Sequence, residues 1–186
     1  MAVEVEVRAF TTKEQYDELL VKLAGSFELV EHTRQITKYL DTLVDTRIQV
    51  STHGGRVWQK LGQMHDAARE ELEVLMSKQD ARRMLQIFEN IGMKVKVTWF
   101  RERRSFLDGP YRISVDETIG YGRIIEVESQ CEPSDVTQRR QDVLRKLHAL
   151  GFEPTDRKCF DSAYSEYLQT WRERTAGLDF AWLESL

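Results

Sequence analysis

The sequence predicts an α+β fold: a closed eight-stranded antiparallel β-barrel with helices packed outside it. Three observations predict it. Several segments alternate polar and apolar residues, segments of helical period lie between them, and the strands follow one another through turns too short for parallel crossovers. About eight strands are enough to close a barrel, and closure removes exposed sheet edges.

Val3 to Phe10 alternates strictly, with Val3, Val5, Val7 and Ala9 on one face and Glu4, Glu6 and Arg8 on the other. Thr11 and Thr12 then offer helix caps, with Glu14 and Gln15 spaced for a capping box. Tyr16, Leu19, Leu20 and Leu23 form one helical stripe that stops at Gly25. Arg34 to Thr42 reads as a strand, followed by a hairpin of Thr46 to Ser51 and Val57 to Leu61 around Gly54-Gly55. No Gly-Lys-Ser/Thr follows these glycines, so they mark a turn and not a phosphate loop.

Arg69 to Leu75 is a short strand. Ser77 opens a helix carrying Ala81, Met84, Leu85, Phe88 and Ile91 on one side. Strands follow at Lys94 to Phe106, Tyr111 to Glu117 and Arg123 to Ser129, the first two joined by Asp108-Gly109-Pro110. Ser134 is placed to cap a helix ending near Leu150, and a last helix runs from about Asp161 to Arg174. Residues 1–170 are therefore taken as one domain, and 171–186 as a tail packed on it or on a partner subunit.

Composition narrows the function. The chain has 186 residues, 41% hydrophobic and 31% charged, with formal net charge -4. That charge argues against nucleic-acid polymers or an anionic membrane as partners, so a bound anion must meet a local cluster of Arg and Lys. Two cysteines, Cys131 and Cys159, are too few for a disulfide framework, and the N-terminus carries no basic and apolar leader pattern. A cytoplasmic protein, monomer or homodimer, is expected. The four histidines, His32, His53, His65 and His148, show no metal-ligand spacing.

The unusual feature is paired charge on strands. Glu4 with Glu6, Glu71 with Glu73, and Glu126 with Glu128 each lie two apart, as do Arg101 and Arg103 with the opposite sign. A sheet with one solvated face would also place Glu outward. Glu is however a poor strand former, and like charges sharing a face repel. A barrel offers the alternative: Val3, Val5, Val7, Leu72, Ile125 and Val127 face a helix-packed core, and the charges face inward. Converging carboxylates would then need a divalent cation, Mg²⁺ or Mn²⁺ by ligand type, and the guanidinium groups an anion.

These segments resemble the CYTH, or triphosphate tunnel metalloenzyme, superfamily. Glu4-Val5-Glu6-Val7-Arg8 is similar to its N-terminal Glu-x-Glu-x-Lys signature. Gln-x-Thr-x-Tyr-Leu-Asp-Thr at residues 35–42, Thr46-Arg47-Ile48-Gln49, Lys60, Arg69-Glu70-Glu71-Leu72-Glu73 and Arg101-x-Arg103 resemble later blocks in order. Asp116-Glu117-Thr118-Ile119-Gly120-Tyr121-Gly122 leading into Ile125-Glu126-Val127-Glu128 is the closest block, and Ser162 to Leu168 resembles the family's ending.

The resemblance implies a closed triphosphate tunnel. Glu4, Glu6, Asp116, Glu126 and Glu128 would hold Mg²⁺ or Mn²⁺. Arg8, Arg47, Lys60, Arg101 and Arg103, with Tyr39, would bind a triphosphate-containing small molecule. Of these, Arg8, Lys60, Arg101 and Arg103 would take part in catalysis. Glu71 and Glu73 match positions lining the tunnel. Hydrolysis of tripolyphosphate, thiamine triphosphate or a nucleoside triphosphate is the implied activity. An adenylyl cyclase of class IV and a non-catalytic polyphosphate- or nucleotide-binding module are the alternatives.

Three positions depart from the pattern: Arg8 stands where the family has Lys, Gln49 where it has Arg, and Thr37 where it has Asp. Arg8 can grip phosphate but, always protonated, cannot act as a base. Gln49 removes one cation.

Overall fold

The computed structural model describes residues 3–60 and 71–185. Arg69, Glu70, His65 and Leu186 lie outside them. Strand β1 (Val3–Thr11) leads into helix α1 (Lys13–Ser26), whose start is fixed by the expected box. The Thr12 hydroxyl accepts from the Gln15 backbone N–H, and the Gln15 side chain accepts from the Thr12 N–H. Strands β2 (Glu28–Leu40), β3 (Asp45–Ser51), β4 (Gly55–Lys60) and β5 (Glu71–Met76) follow, then helix α2 (Lys78–Asn90) with Ser77 as its cap. Strands β6 (Val95–Asp108), β7 (Tyr111–Thr118) and β8 (Gly122–Cys131) precede helices α3 (Val136–Ala149) and α4 (Arg157–Arg174). A 3₁₀ segment, Phe180–Ser185, comes last.

The eight strands form one sheet in the order β1-β8-β7-β6-β2-β3-β4-β5, and the described pairings are antiparallel. This is the expected α+β class and strand count. Among the described residues no hydrogen-bonded pairing joins β1 to β5, so the sheet is not closed by hydrogen bonds. The outer edge of β1 is met by Thr155 instead. Its N–H donates to the Arg8 carbonyl at 3.0 Å, and its hydroxyl accepts from the Phe10 N–H at 2.9 Å.

The chain divides into two compact units, residues 1–32 with 102–166, and residues 33–101 with 167–186. In the first, Val5, Ala9, Ile113, Val115, Ile125 and Val127 bury the apolar sheet face against Tyr16, Leu19 and Leu23 of α1 and Val143 and Leu147 of α3. The alternation fixes this arrangement, because one face of each strand is apolar and must be covered. In the second, Ile36, Ile48, Val50, Ala81, Leu85, Val97 and Tyr167 are buried. Leu183 of the tail is fully buried, and Trp182 meets Phe100 edge-on at 5.6 Å. No helix is long and apolar enough to cross a membrane.

Several expectations need correction. Leu72, expected to face a covered core, is 52% exposed on the end strand β5. Strand β2 begins at Glu28, six residues before Arg34, because Leu29 and Val30 are exposed and blur the alternation. Ser134 does not cap α3: Pro133–Asp135 forms a 3₁₀ turn, and the Ser134 hydroxyl donates to Asp135 at 2.9 Å. Helix α4 starts four residues early, where the Asp156 carboxylate accepts from the Lys158 N–H at 2.7 Å.

Candidate functional site

In the first unit the register brings the paired charges side by side. Glu6 lies opposite Glu128 and Arg8 opposite Glu126 across β1 and β8. Across β8 and β7, Glu128 lies opposite Arg112 and Glu126 opposite Ser114. The solvent-poor apolar face is used by α1 and α3, so these side chains share the other face.

Glu4, Glu6 and Glu128 each offer a carboxylate oxygen, and the three oxygens lie within 4.8 Å of one another. Glu4 and Glu6 are exposed and Glu128 is half-buried. Burial pushes the Glu128 carboxyl up to about 7, helped by the negative charges of Glu126 and Glu4 and opposed by Arg103 and Arg112. Three converging oxygen donors, only partly offset by Arg8 at 3.6 Å from Glu6 and Arg112 at 3.6 Å from Glu128, fit a hard divalent cation, which would reduce their repulsion further.

Asp116 and Glu126 sit elsewhere, beside Arg103. The Arg103 Nε and Nη2 donate to the two Asp116 oxygens, each at 2.7 Å, and Glu126 Oε1 is 3.5 Å from Nη2. Asp116 is 4% exposed and Glu126 9%. Burial opposes charge on Arg103, but Asp116, with Glu126 and Glu31 behind it, outweighs burial and holds its pKa above the ordinary value. Arg8 pairs with Glu6 at 3.6 Å and lies over the Phe160 ring at 5.0 Å.

The second unit carries another charged face on β2, β3, β4 and β5. Tyr39, Arg47, Trp58 and Glu73 form one rung, and Thr37, Gln49 and Arg56 the next. Arg47 forks onto Asp45 at 2.8 and 2.6 Å and stacks over Tyr39 at 4.2 Å. Lys60 lies opposite Asp45 and Glu71 in the ladder, half-buried, and Arg101 is half-buried on β6. The departures Thr37 and Gln49 are partners, since Gln49 Nε2 donates to Thr37 Oγ1 at 2.9 Å.

Sequence reasoning passed over Glu31, Arg112, Ser105, Ser114, Asp45, Arg56 and Trp58. Arg112 pairs with Glu31, Ser105 donates to Glu31 at 3.1 Å, and the Ser105 and Ser114 hydroxyls meet at 3.0 Å. The alternation Arg112-x-Ser114-x-Asp116 could have found the β7 members. Glu31 was hidden because it lies in the early part of β2.

No family model and no curated protein matches the sequence. Solved structures do. A Pyrococcus horikoshii protein is 21% identical with TM-score 0.69, covering 88% of this chain and 98% of that one. A Vibrio parahaemolyticus protein proposed to be an adenylate cyclase is 14% identical with TM-score 0.65, covering 88% and 98%. A proposed adenylyl cyclase from Hippeastrum with a dominant triphosphatase activity is 16% identical with TM-score 0.61, covering 89% and 96%. At these identities the likeness is one of fold: the chain shares its overall fold with these proteins, two of which are proposed adenylyl cyclases.

Proposed function

We propose that the protein is a metal-dependent hydrolase of a triphosphate-bearing small molecule. The observation carrying this reading is the group Glu4, Glu6 and Glu128 on the same strand faces as the Arg103–Asp116–Glu126 cluster. Acids able to hold a cation and a guanidinium fixed beside them are the two requirements of a polyphosphate site. The triphosphatase activity of the Hippeastrum neighbour supports the reaction class. The closed tunnel implied by the sequence blocks belongs to the same proposal.

Glu4, Glu6 and Glu128 would hold Mg²⁺ or Mn²⁺, which when bound neutralises phosphate charge and polarises the phosphoryl group. Asp116 and Glu126 hold the Nε and Nη2 side of Arg103, which orients its Nη1 for a phosphoryl oxygen. Arg8, already bracketed by Glu6 and Phe160, grips a second oxygen. Charge stabilisation by preorganised donors is the main contribution expected of the protein.

The test is phosphate release from tripolyphosphate, thiamine triphosphate, ATP and GTP with Mg²⁺ or Mn²⁺, using Glu6→Gln as the control. Metal-dependent release from one substrate, lost in the variant, is the expected result. The neighbours proposed as adenylate cyclases favour one second reading, so ATP reactions are also assayed for cyclic AMP and pyrophosphate. Their formation would replace the hydrolase with a cyclase. Binding without turnover would leave a non-catalytic polyphosphate module.

A further inference from the structure

A cleft of about 590 Å³ opens within the second unit, on the sheet face opposite the one that carries Tyr39, Arg47 and Gln49. Buried Ile36 and Phe100 form its floor, and Trp171 of α4 with Leu178 and Phe180 beyond it form a wall. The volume is that of a small-molecule site, and a floor of this kind suits a flat apolar body.

Lys38 breaks the pattern of the strand that builds this floor. Its same-face neighbours on β2, Ile36 and Leu40, are 3% and 4% exposed, and across the ladder it faces buried Ile48. The Lys38 side chain is itself only 24% exposed. Its Nζ lies 3.8 Å from Glu89 Oε1, beyond hydrogen-bond length, and 5.9 Å from the centre of the Phe180 ring. Among the described residues its ammonium donates no hydrogen bond. Three donors so placed leave much of the desolvation cost of the charge unmet.

The other charges around the cleft do not cancel that ammonium. Lys38, Lys94 and Arg172 line it against Glu89 and Asp179, an excess of one positive charge. Asp179 is already engaged, since its Oδ1 accepts from the Ala181 N–H at 2.7 Å. Arg172 lies over the Trp171 ring at 4.5 Å, on the aromatic wall.

We propose that this cleft binds a small organic anion, an aromatic body carrying one carboxylate. The carboxylate takes the Lys38 ammonium, and the ring lies on Ile36 and Phe100 beside Trp171. The excess charge selects an anion, and the apolar floor selects against a bare polyphosphate. The site is separate from the charged strand face and stands whether or not a triphosphate binds there.

Calorimetry with naphthoate, and with the neutral naphthamide of the same shape, tests this in wild type, Lys38→Met, Lys38→Arg and Leu178→Trp. Thermal unfolding of each variant is followed alongside. Naphthoate should bind wild type with a Kd of about 1 mM or lower. Naphthamide should bind about 10-fold more weakly, for want of the charge-assisted contact. Lys38→Met should erase that difference, Lys38→Arg should keep it, and Leu178→Trp, which fills the cleft, should abolish binding of both probes. Excess tripolyphosphate should leave naphthoate binding unchanged. Equal affinity of wild type for the two probes, no binding of naphthoate, or unchanged naphthoate affinity in Lys38→Met would each overturn the proposal. So would displacement of naphthoate by tripolyphosphate, which would put the anion on the charged strand face. A dimer in sedimentation that Leu178→Trp dissociates would make a second copy the occupant and overturn it too.

Discussion

Replacing Glu128 by Gln keeps its shape and removes a charge from the three-carboxylate group. Its side chain is 19% exposed, and burial, with Glu126 and Glu4, raises its carboxyl from 4.5 to about 7. A folded-state pKa above the unfolded one means that stability is fully present below about 4.5 and is lost as pH rises through 7. The rise corresponds to about 3 kcal/mol, an upper bound for a half-buried group. Glu128→Gln has no proton to lose. Wild type and variant should therefore differ least near pH 4.5, and the variant should be the more stable one at pH 8, by up to about 3 kcal/mol.

Urea unfolding at pH 5, 6, 7 and 8, read as the difference in unfolding free energy between the two proteins, measures this directly. Groups that titrate equally in both cancel in the difference. Adding Mn²⁺ at pH 8 supplies a second arm: the ion should stabilise wild type and do much less for the variant, because one ligand is gone. A stability difference that stays flat with pH would refute the reasoning about buried charge. Equal stabilisation of both proteins by Mn²⁺ would refute the assignment of Glu128 to the metal.

Asp116→Ala removes the forked partner of buried Arg103 and should cost about 3 kcal/mol in urea unfolding, at the low end for a broken buried pair because Glu126 remains at 3.5 Å. Gly55→Ala would bring a new Cβ to 2.4 Å from the Ala81 Cβ and 3.0 Å from the Gln49 carbonyl, so β4 or α2 must shift; a loss of about 1–3 kcal/mol is expected in the same assay. Tyr167→Phe deletes a buried hydroxyl that donates to the Thr98 carbonyl at 2.8 Å, and should cost about 1 kcal/mol by thermal unfolding.

The strand faces were legible because burial acts on alternation directly. Val5, Ala9, Ile125 and Val127 had to be covered, and α1 and α3 supplied stripes of matching period. The Thr12 box and the Ser77 cap were equally legible, since each depends on residues three apart. Element starts without a periodic apolar signal were not. Glu28 to Val30 is exposed, so nothing in its pattern separates strand from loop. Asp156 caps α4 before any apolar stripe begins. Sheet closure depends on which edges meet, which no local pattern encodes.

The site shows the same division more sharply. Carboxylates two apart on one strand share a face whatever the register, so Glu4 with Glu6 could be read from the sequence alone. Which acid meets which base is decided by register and side-chain reach. Asp116 takes the fork of Arg103 at 2.7 Å, and Glu126 lies 3.5 Å from the same guanidinium. The neutral positions follow the same rule. Thr37 and Gln49 are far apart along the chain, but they face each other at 2.9 Å. A buried Gln49 that gives both amide hydrogens to neutral acceptors needs no counter-ion at residue 37, and its free oxygen is what holds Arg56 in place. Neutral Gln49 on β3 thus faces a charge held on β4, directly across the ladder.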